Sequence, residues 1–563
     1  MRPLRPASFG LLAAVLARAC ASAPMSRPGA AIAVDVPEIV RPDGETAAWW
    51  YRSGAAEAAS LGAMGGQARN VILFVGDGMS LTTVAAARIL EGQRQGRPGE
   101  EQRLAWERFP ATAISRTYNT DTQTPDSAGT MTAMAAGAKT RAGVIGIGQD
   151  AARGDCAGAL RSPLLSLWQL AAANGLATGV VTTTRVTHAT PAATFAHSAD
   201  RHWEDDSELP AAAVTAGCAD IARQFIETSH GRGPDVLMGG GRGQFMPATQ
   251  DDPEYPDKVG RRLDGRDLIA EWSQRHPGGT YVWNARQLAQ APLDAPLLAL
   301  FEPSHMRYEH DRRLDVGGEP SLAEMTRAAI TRLQRRDGGY VLLVEGGRID
   351  HAHHEGNAFR ALTDTIALSD AVRVAAELTS AQDTLILVTA DHAHTLSFAG
   401  YPVRGNPILG KVRGSSGEGG DADDFARDAT GLPYTTLAYA NGPGNIGATD
   451  QQPAGPKRHP HLASGYQSAI GRPDLHTVDT EHPDYLQEAL VPASAESHGG
   501  DDVGVWARGP GSEAVRGSIE QHTIYHFMLQ AMPALRAARC AQGACDANGV
   551  PVQLPTPHAD AAR

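Results

Sequence analysis

A chain of 563 residues with 42% hydrophobic and 20% charged side chains has the make-up of a folded globular protein, which excludes disordered and fibrous classes. Its 50 Lys and Arg against 63 Asp and Glu leave a formal charge of -13, the wrong sign for a general nucleic-acid binder. No low-complexity linker divides it, so one large domain carrying insertions is expected.

The N-terminus, MRPLRPASFGLLAAVLARACASAP, places two arginines before a short apolar run and small-residue cleavage choices, the layout of a secretory signal peptide over residues 1–23. Cys20 would leave with it. No later segment is long and apolar enough to span a membrane. The remaining cysteines are Cys156, Cys218, Cys540 and Cys545, an even number that suggests two disulfides in an exported, periplasmic or extracellular protein. The local pair Cys540–Cys545 makes Cys156–Cys218 the other bridge.

Residues 24–65 carry Trp49, Trp50 and Tyr51 ahead of Ala-rich helix-formers and read as an N-terminal arm or helix that packs on another surface rather than in the core. The core follows, residues 66–400. Asn70–Ser80, N-V-I-L-F-V-G-D-G-M-S, is an unbroken apolar run ended by Gly-Asp-Gly, the pattern of a doubly buried parallel strand presenting Asp77 at its carboxyl end. In Q-T-P-D-S-A-G-T-M-T-A-M-A-A-G-A-K-T-R, Gln123–Arg141, Ser127 stands where an Ala/Met/Gly-rich buried helix begins. It either caps that helix or presents a nucleophile to an anion drawn by the free N–H groups of the helix start.

Further strands are expected at Ala177–Thr184, Asp235–Met238, Tyr340–Val344 and Thr384–Thr389, with helices at Leu164–Ala173 and Asn357–Leu378. The G-G-G-R-G turn after Met238 lacks the dinucleotide fingerprint and is not read as a phosphate loop. Strands alternating with helices predict an α/β fold, a three-layer αβα sandwich around a large, mostly parallel sheet. From Gly400 to Ala495 the texture turns to Gly, Pro, Asp, Asn and Ser, an inserted subdomain over 401–495. The core resumes over 496–545 with a strand at Asp502–Ala507 and a helix at Ile519–Met532, and 546–563 reads as a frayed tail.

Three strands thus end in acids: Asp77, Glu345 and Asp391. Each alone could cap a following helix. Together on one sheet edge they would repel unless a cation held them. In E-G-G-R-I-D-H-A-H-H-E-G-N, Asp350 and His354 stand at i and i+4, one face of a helix, and His392 and His498 add imidazoles. Asp/His sets without cysteine suit Zn²⁺, and carboxylates with a hydroxyl suit Mg²⁺. His353 is expected on the surface.

Six segments, N-V-I-L-F-V-G-D-G-M, T-P-D-S-A-G-T, T-H-A-T-P-A-A with Arg201 downstream, V-E-G-G-R-I-D-H-A-H-H-E, V-T-A-D-H-A-H and E-S-H-G-G-D-D-V, resemble the alkaline phosphatase family in motif and order along almost the whole exported length. The resemblance implies hydrolysis of phosphate monoesters at alkaline pH through a phosphoseryl intermediate on Ser127, with Arg201 binding phosphate. It implies one zinc on Asp350, His354 and His498, a second on Asp77, Asp391 and His392, and a magnesium on Asp77, Thr190 and Glu345, with Asp126 near the site. His188 and His351 resemble the animal type rather than the compact bacterial forms. So do F-E-P-S-H-M-R-Y-E and D-P-E-Y-P, which imply a calcium site at Glu254, Phe301 through its carbonyl, Glu302 and Asp315. The 401–495 insert is similar to that type's crown, and the Trp49–Leu61 arm to a helix that embraces the partner in a homodimer. Phosphodiesterases and sulfatases share this metal-centred fold, and a non-catalytic phosphate or metal binder could keep it. Asp126-Ser127 with Arg201 favours the monoesterase.

Overall fold

A computed structural model describes residues 29–227, 233–414, 425–462, 464–469 and 471–555; the expected signal peptide lies outside the described residues. Ten strands form one sheet: β1 (Asn70–Gly76), β2 (Ala111–Arg116), β3 (Ala177–Arg185), β4 (Val236–Gly240), β5 (Thr280–Val282), β6 (Leu297–Leu300), β7 (Tyr340–Gly346), β8 (Thr384–Ala390), β14 (Val503–Arg508) and β15 (Arg516–Glu520). Five shorter strands lie between β8 and β14: β9 (Ala393–His394), β10 (Leu396–Phe398), β11 (Leu437–Gly442), β12 (Ala489–Pro492) and β13 (His498–Gly499). The large sheet runs β15-β2-β14-β8-β1-β7-β3-β4-β6-β5.

Every residue of β1, β7 and β8 is buried, which their continuous apolar runs require of strands covered on both faces. Along β1, Val71, Leu73 and Val75 enter one core and Ile72 and Phe74 the other. The first core is closed by helices α1 (Ala47–Ser60), α3 (Ser127–Ala136), α4 (Leu167–Ala173) and α8 (Thr523–Ala531). The second is closed by α2 (Leu81–Arg94), α5 (Leu322–Leu333) and α7 (Ala358–Leu378). This is the expected αβα sandwich. β1 pairs in parallel with β7 and β8, and β3 with β7, so the carboxyl ends of all four central strands meet at one edge. That edge is where an open α/β sheet builds its ligand site.

The strand expected at Asp502–Ala507 is β14, and it runs antiparallel to both β2 and β8 in an otherwise parallel sheet. Other expectations are corrected. The expected helix at Ile519–Met532 begins only at Thr523, because Ile519 completes β15 alongside β2. Trp50 and Tyr51 belong to the core of their own chain. The Trp50 indole N–H donates to Gln149 Oε1 at 3.1 Å, and Tyr51 packs edge-on against Tyr525 and His526 of α8. Residues 546–555 are not a loose tail, since Val550 and Val552 bury themselves against Ala55 and Ala59 of α1; residues 556–563 lie outside the described set. Both disulfides, Cys156–Cys218 and Cys540–Cys545, are formed.

β11 and β12 of the insert join β10, which lies just before it, in a three-stranded sheet. Within the G-G-G-R-G turn, Arg242 is fully buried and its guanidinium donates to both Asp252 oxygens at 2.8 Å, which leaves that turn a structural one. No helix among the described residues is long and apolar enough to cross a membrane.

Candidate active site

The central edge gathers the acids. Asp77 follows β1, Glu345 lies near the end of β7, and Asp391 follows β8; all three are completely buried. Gly78 takes φ +67 and passes so close to His394 that a Cβ there would stand 2.2 Å from its Cδ2, which is why Asp77 is flanked by glycine. Asp391 Oδ1 accepts the backbone N–H groups of Gly78 and His392, each at 3.0 Å, and Oδ2 accepts the Thr130 hydroxyl at 3.2 Å.

Ser127 is not the cap of its helix. Asp126 is, its Oδ1 accepting the Gly129 N–H at 3.1 Å, and Ser127 is the first helical residue. Released from capping, the Ser127 hydroxyl turns to the acid edge, 3.1 Å from His392 Nε2 and 3.4 Å from Asp77 Oδ1. The other Asp126 oxygen accepts from Arg201 Nη1 at 3.1 Å, while Arg201 Nη2 donates to His188 Nε2 at 3.1 Å. One residue therefore caps the helix and aims the arginine.

Helix α6 (Arg348–His354) places Asp350 and His354 on one face, as their spacing predicts: His354 Nε2 lies 3.3 Å from Asp350 Oδ1. His498, from β13, reaches the same oxygen at 3.3 Å. The tautomers follow from what stands behind each ring. His354 Nδ1 faces the Glu496 carbonyl and His498 Nδ1 faces the Pro125 carbonyl at 2.7 Å. Carbonyls only accept, so both Nδ1 atoms carry a proton, and in the neutral rings both Nε2 atoms present lone pairs. Those two nitrogens stand 3.1 Å apart. His392 is set the same way by the Ala393 carbonyl at 3.2 Å, and its Nε2 points at Asp77, Asp391 and Ser127.

Electrostatics mark the same place. Burial, then the charges of Asp391, Asp350 and Glu345, push Asp77 well above the carboxylate range. Burial pushes Glu345 up to about 7. Burial, then the His498 charge, drives His392 well below its usual range. Asp350 differs: burial opposes its ionisation, but His354, His394 and His498 overcome this and hold it well below the usual range.

Three buried oxygens of this edge make no directed hydrogen bond: Asp77 Oδ2, Glu345 Oε1 and the Thr190 hydroxyl. Thr190 stands beside Glu345, whose other oxygen accepts from the Thr182 and Thr184 hydroxyls. Buried oxygens left without hydrogen-bond partners, beside ring nitrogens, are what a group of cations would satisfy. Asp77, Asp391 and His392 form one candidate cluster; Asp77, His188 and Glu345 form another; Asp350 and His498 belong to a third that includes His392 and His394. The sequence-predicted residues thus converge.

His394 was not singled out, although it stands in V-T-A-D-H-A-H. Its Nε2 faces Asp350 Oδ1 at 2.7 Å and its Nδ1 faces the Glu496 carboxylate. Both partners are acceptors, so the ring is an imidazolium; burial works against the charge, but Glu496 and Asp350 lift its pKa to about 10. His394 thus braces Asp350 from behind. His353, expected on the surface, is fully buried between the Thr83 hydroxyl (3.0 Å) and the Tyr439 hydroxyl (2.7 Å). His188 and His351 pack in T-shaped contacts with a third ring, His305, which stands in F-E-P-S-H-M-R-Y-E but was not singled out.

Away from the edge, Glu254, Glu302 and Asp315 converge within 4.8 Å, with Arg307 Nε 3.4 Å from Glu302 and 3.6 Å from Asp315. Phe301 adjoins them in sequence. Glu319, overlooked in the sequence, is pushed up to about 9 by burial and by the charges of Glu302 and Asp315.

A family model described as alkaline phosphatase matches residues 68–534. The tissue-nonspecific alkaline phosphatase of Gallus gallus is 44% identical over 475 residues, 82% of this chain and 84% of that one. Alkaline phosphatase of Gadus morhua is 43% identical over 473 residues, 83% and 92% of the two chains. Among solved structures, Thermus thermophilus alkaline phosphatase superposes with a TM-score of 0.59 at 26% identity, covering 88% of this chain and 96% of that one. The enzyme from the Antarctic bacterium TAB5 gives 0.54 at 19% identity, covering 83% and 99%, a likeness of fold. With the model spanning most of the chain and animal relatives above 40% identity, the chain belongs to the alkaline phosphatase family.

Proposed function

We propose that the protein hydrolyses phosphate monoesters to an alcohol and inorganic phosphate through a phosphoseryl intermediate on Ser127, at a centre of two zinc ions and one magnesium ion. The carrying observation is the pair of Nε2 atoms, His354 and His498, held 3.1 Å apart with their protons on the far side. In the neutral rings the two Nε2 lone pairs converge beside Asp350 Oδ1, 3.3 Å from each, which is the donor set a zinc ion takes. Asp350, His354 and His498 would hold one zinc, Asp77, Asp391 and His392 the second, and Asp77, Thr190 and Glu345 the magnesium, whose three donors are the oxygens without directed hydrogen bonds. When bound, the ions supply the positive charge that lowers the pKa of the Ser127 hydroxyl and stabilises the departing alkoxide.

The rest falls to the chain. Arg201, aimed by Asp126 and His188, grips two non-bridging phosphoryl oxygens with its planar fork. The Ser127 oxygen, at the N-terminus of α3, attacks phosphorus as the bond to the leaving oxygen breaks. Water then cleaves the seryl phosphate, releases inorganic phosphate and restores the serine. His188 and His351 line the arginine's side of the site, where burial keeps both rings neutral.

Metal analysis of the purified protein with activity on p-nitrophenyl phosphate before and after chelation tests this reading; activity surviving exhaustive chelation contradicts it. Initial rates on the phosphate, the bis-ester and the sulfate separate a monoesterase from a diesterase or a sulfatase. Calcium is proposed for Glu254, Glu302 and Asp315 with the Phe301 carbonyl, supported by the convergence of the three carboxylates. Both disulfides support an exported enzyme, in the periplasm or outside the cell. A homodimer is proposed as well; the apolar side chains Leu462, Leu490 and Val491 exposed on the insert support it.

A further inference from the structure

Behind the Asp350–His354–His498 triad stands one residue linked to all three, to Asp350 through His394. Glu496 is almost completely buried. Its backbone N–H donates to the His354 carbonyl at 2.8 Å, and its own carbonyl accepts from His354 Nδ1. Its carboxylate accepts from His394 Nδ1 through one oxygen, and His394 Nε2 in turn holds Asp350 Oδ1 at 2.7 Å. The other oxygen accepts the Thr395 N–H and hydroxyl, each at 2.6 Å. Two residues further on is His498, whose strand β13 pairs with β9 so that His498 lies opposite His394.

We propose that Glu496 is a positioning residue that presets the Asp350–His354–His498 half-site for zinc, a role that rests on the zinc reading above. Its backbone fixes the tautomer and direction of His354. Its side chain fixes His394, which fixes Asp350. Only a carboxylate meets the demand, because three donors from His394 and Thr395 converge on its two oxygens. A glutamine of the same shape has one accepting oxygen; whichever way its amide turns, an N–H group meets another donor. Residues behind metal ligands act by holding the ligand's orientation, and their loss weakens metal binding by about 10- to 100-fold.

The test is zinc affinity of the metal-free protein, by competition with a chromophoric chelator, with circular dichroism confirming the fold of each variant. Glu496→Gln is expected to bind its weaker zinc about 10- to 100-fold less tightly than wild type. Thr395→Val, which removes one donor and leaves the carboxylate in place, is expected to lose affinity in the same direction and by less, and it decides the matter should Glu496→Gln not fold. Wild-type zinc affinity in the folded variants overturns the proposal. So does an equal loss in Asp364→Asn, a buried carboxyl on α7, because that pattern reports general loosening. A wild-type protein that binds no zinc sinks the metal reading itself, whereas tight wild-type binding left unchanged by these variants sinks only the role of Glu496.

Discussion

At the scale of single residues, the site works by division of labour between neighbours. Asp126 does the capping, so Ser127 is left to face the acids. Ser127→Ala is expected to lower kcat on p-nitrophenyl phosphate by about 10³-fold or more while zinc and magnesium content stays at the wild-type level. Retained turnover would remove the serine from the mechanism. Arg201→Lys keeps the charge and loses the fork, so kcat/KM should fall about 10- to 100-fold, equivalent to about 1.4 to 2.7 kcal/mol; an unchanged value would show that the phosphate is held elsewhere. Much of this was legible beforehand, because an acid ending an apolar strand has few other places to go. What was hidden was the difference between His392 and His394. Both follow the same strand end, and only the acceptors on the far side of each ring decide that one keeps a lone pair and the other is fully protonated.

At the scale of elements, periodicity and caps told strands from helices, while direction and depth were settled by partners distant in sequence. β14 reads as a strand from its alternation, yet nothing in D-V-G-V-W-A says that it runs against its neighbours. A histidine-rich turn reads as polar, and only the arrival of Tyr439 from the insert buries His353. Helix α8 makes the same point with a measurable result. His526 is completely buried against α1 and donates to the Gly137 carbonyl at 3.2 Å, and burial pulls its pKa down from 6.5 to about 3. The unfolded chain therefore binds the proton more readily than the folded one. Its contribution is fully present above pH 6.5 and is lost as pH falls towards 3, at up to about 1.4 kcal/mol per pH unit. In urea titrations of the metal-free protein at pH 7, 6 and 5, His526→Gln should flatten the acid loss relative to wild type. Parallel curves would mean that the ring is not the group being protonated.

At the scale of the whole molecule, the two disulfides tie down very different lengths of chain. Cys156–Cys218 closes a loop with a sequence separation of 62, against 5 for Cys540–Cys545. Chain entropy alone assigns them about 4 and about 2 kcal/mol. The Cys156→Ser/Cys218→Ser protein should therefore unfold at clearly lower denaturant than the Cys540→Ser/Cys545→Ser protein, and equal midpoints would show that loop length is not what counts here. The order of strands across the sheet carries one more consequence. β1 lies between β7 and β8, and the edge they share is finished by His498 and closed by β14, so a site that starts at residue 77 cannot be assembled until residues 498–508 have been made. A growing chain holds the early acids without their later partners. The acid edge thus stays incomplete until the strand that carries His498 has joined it.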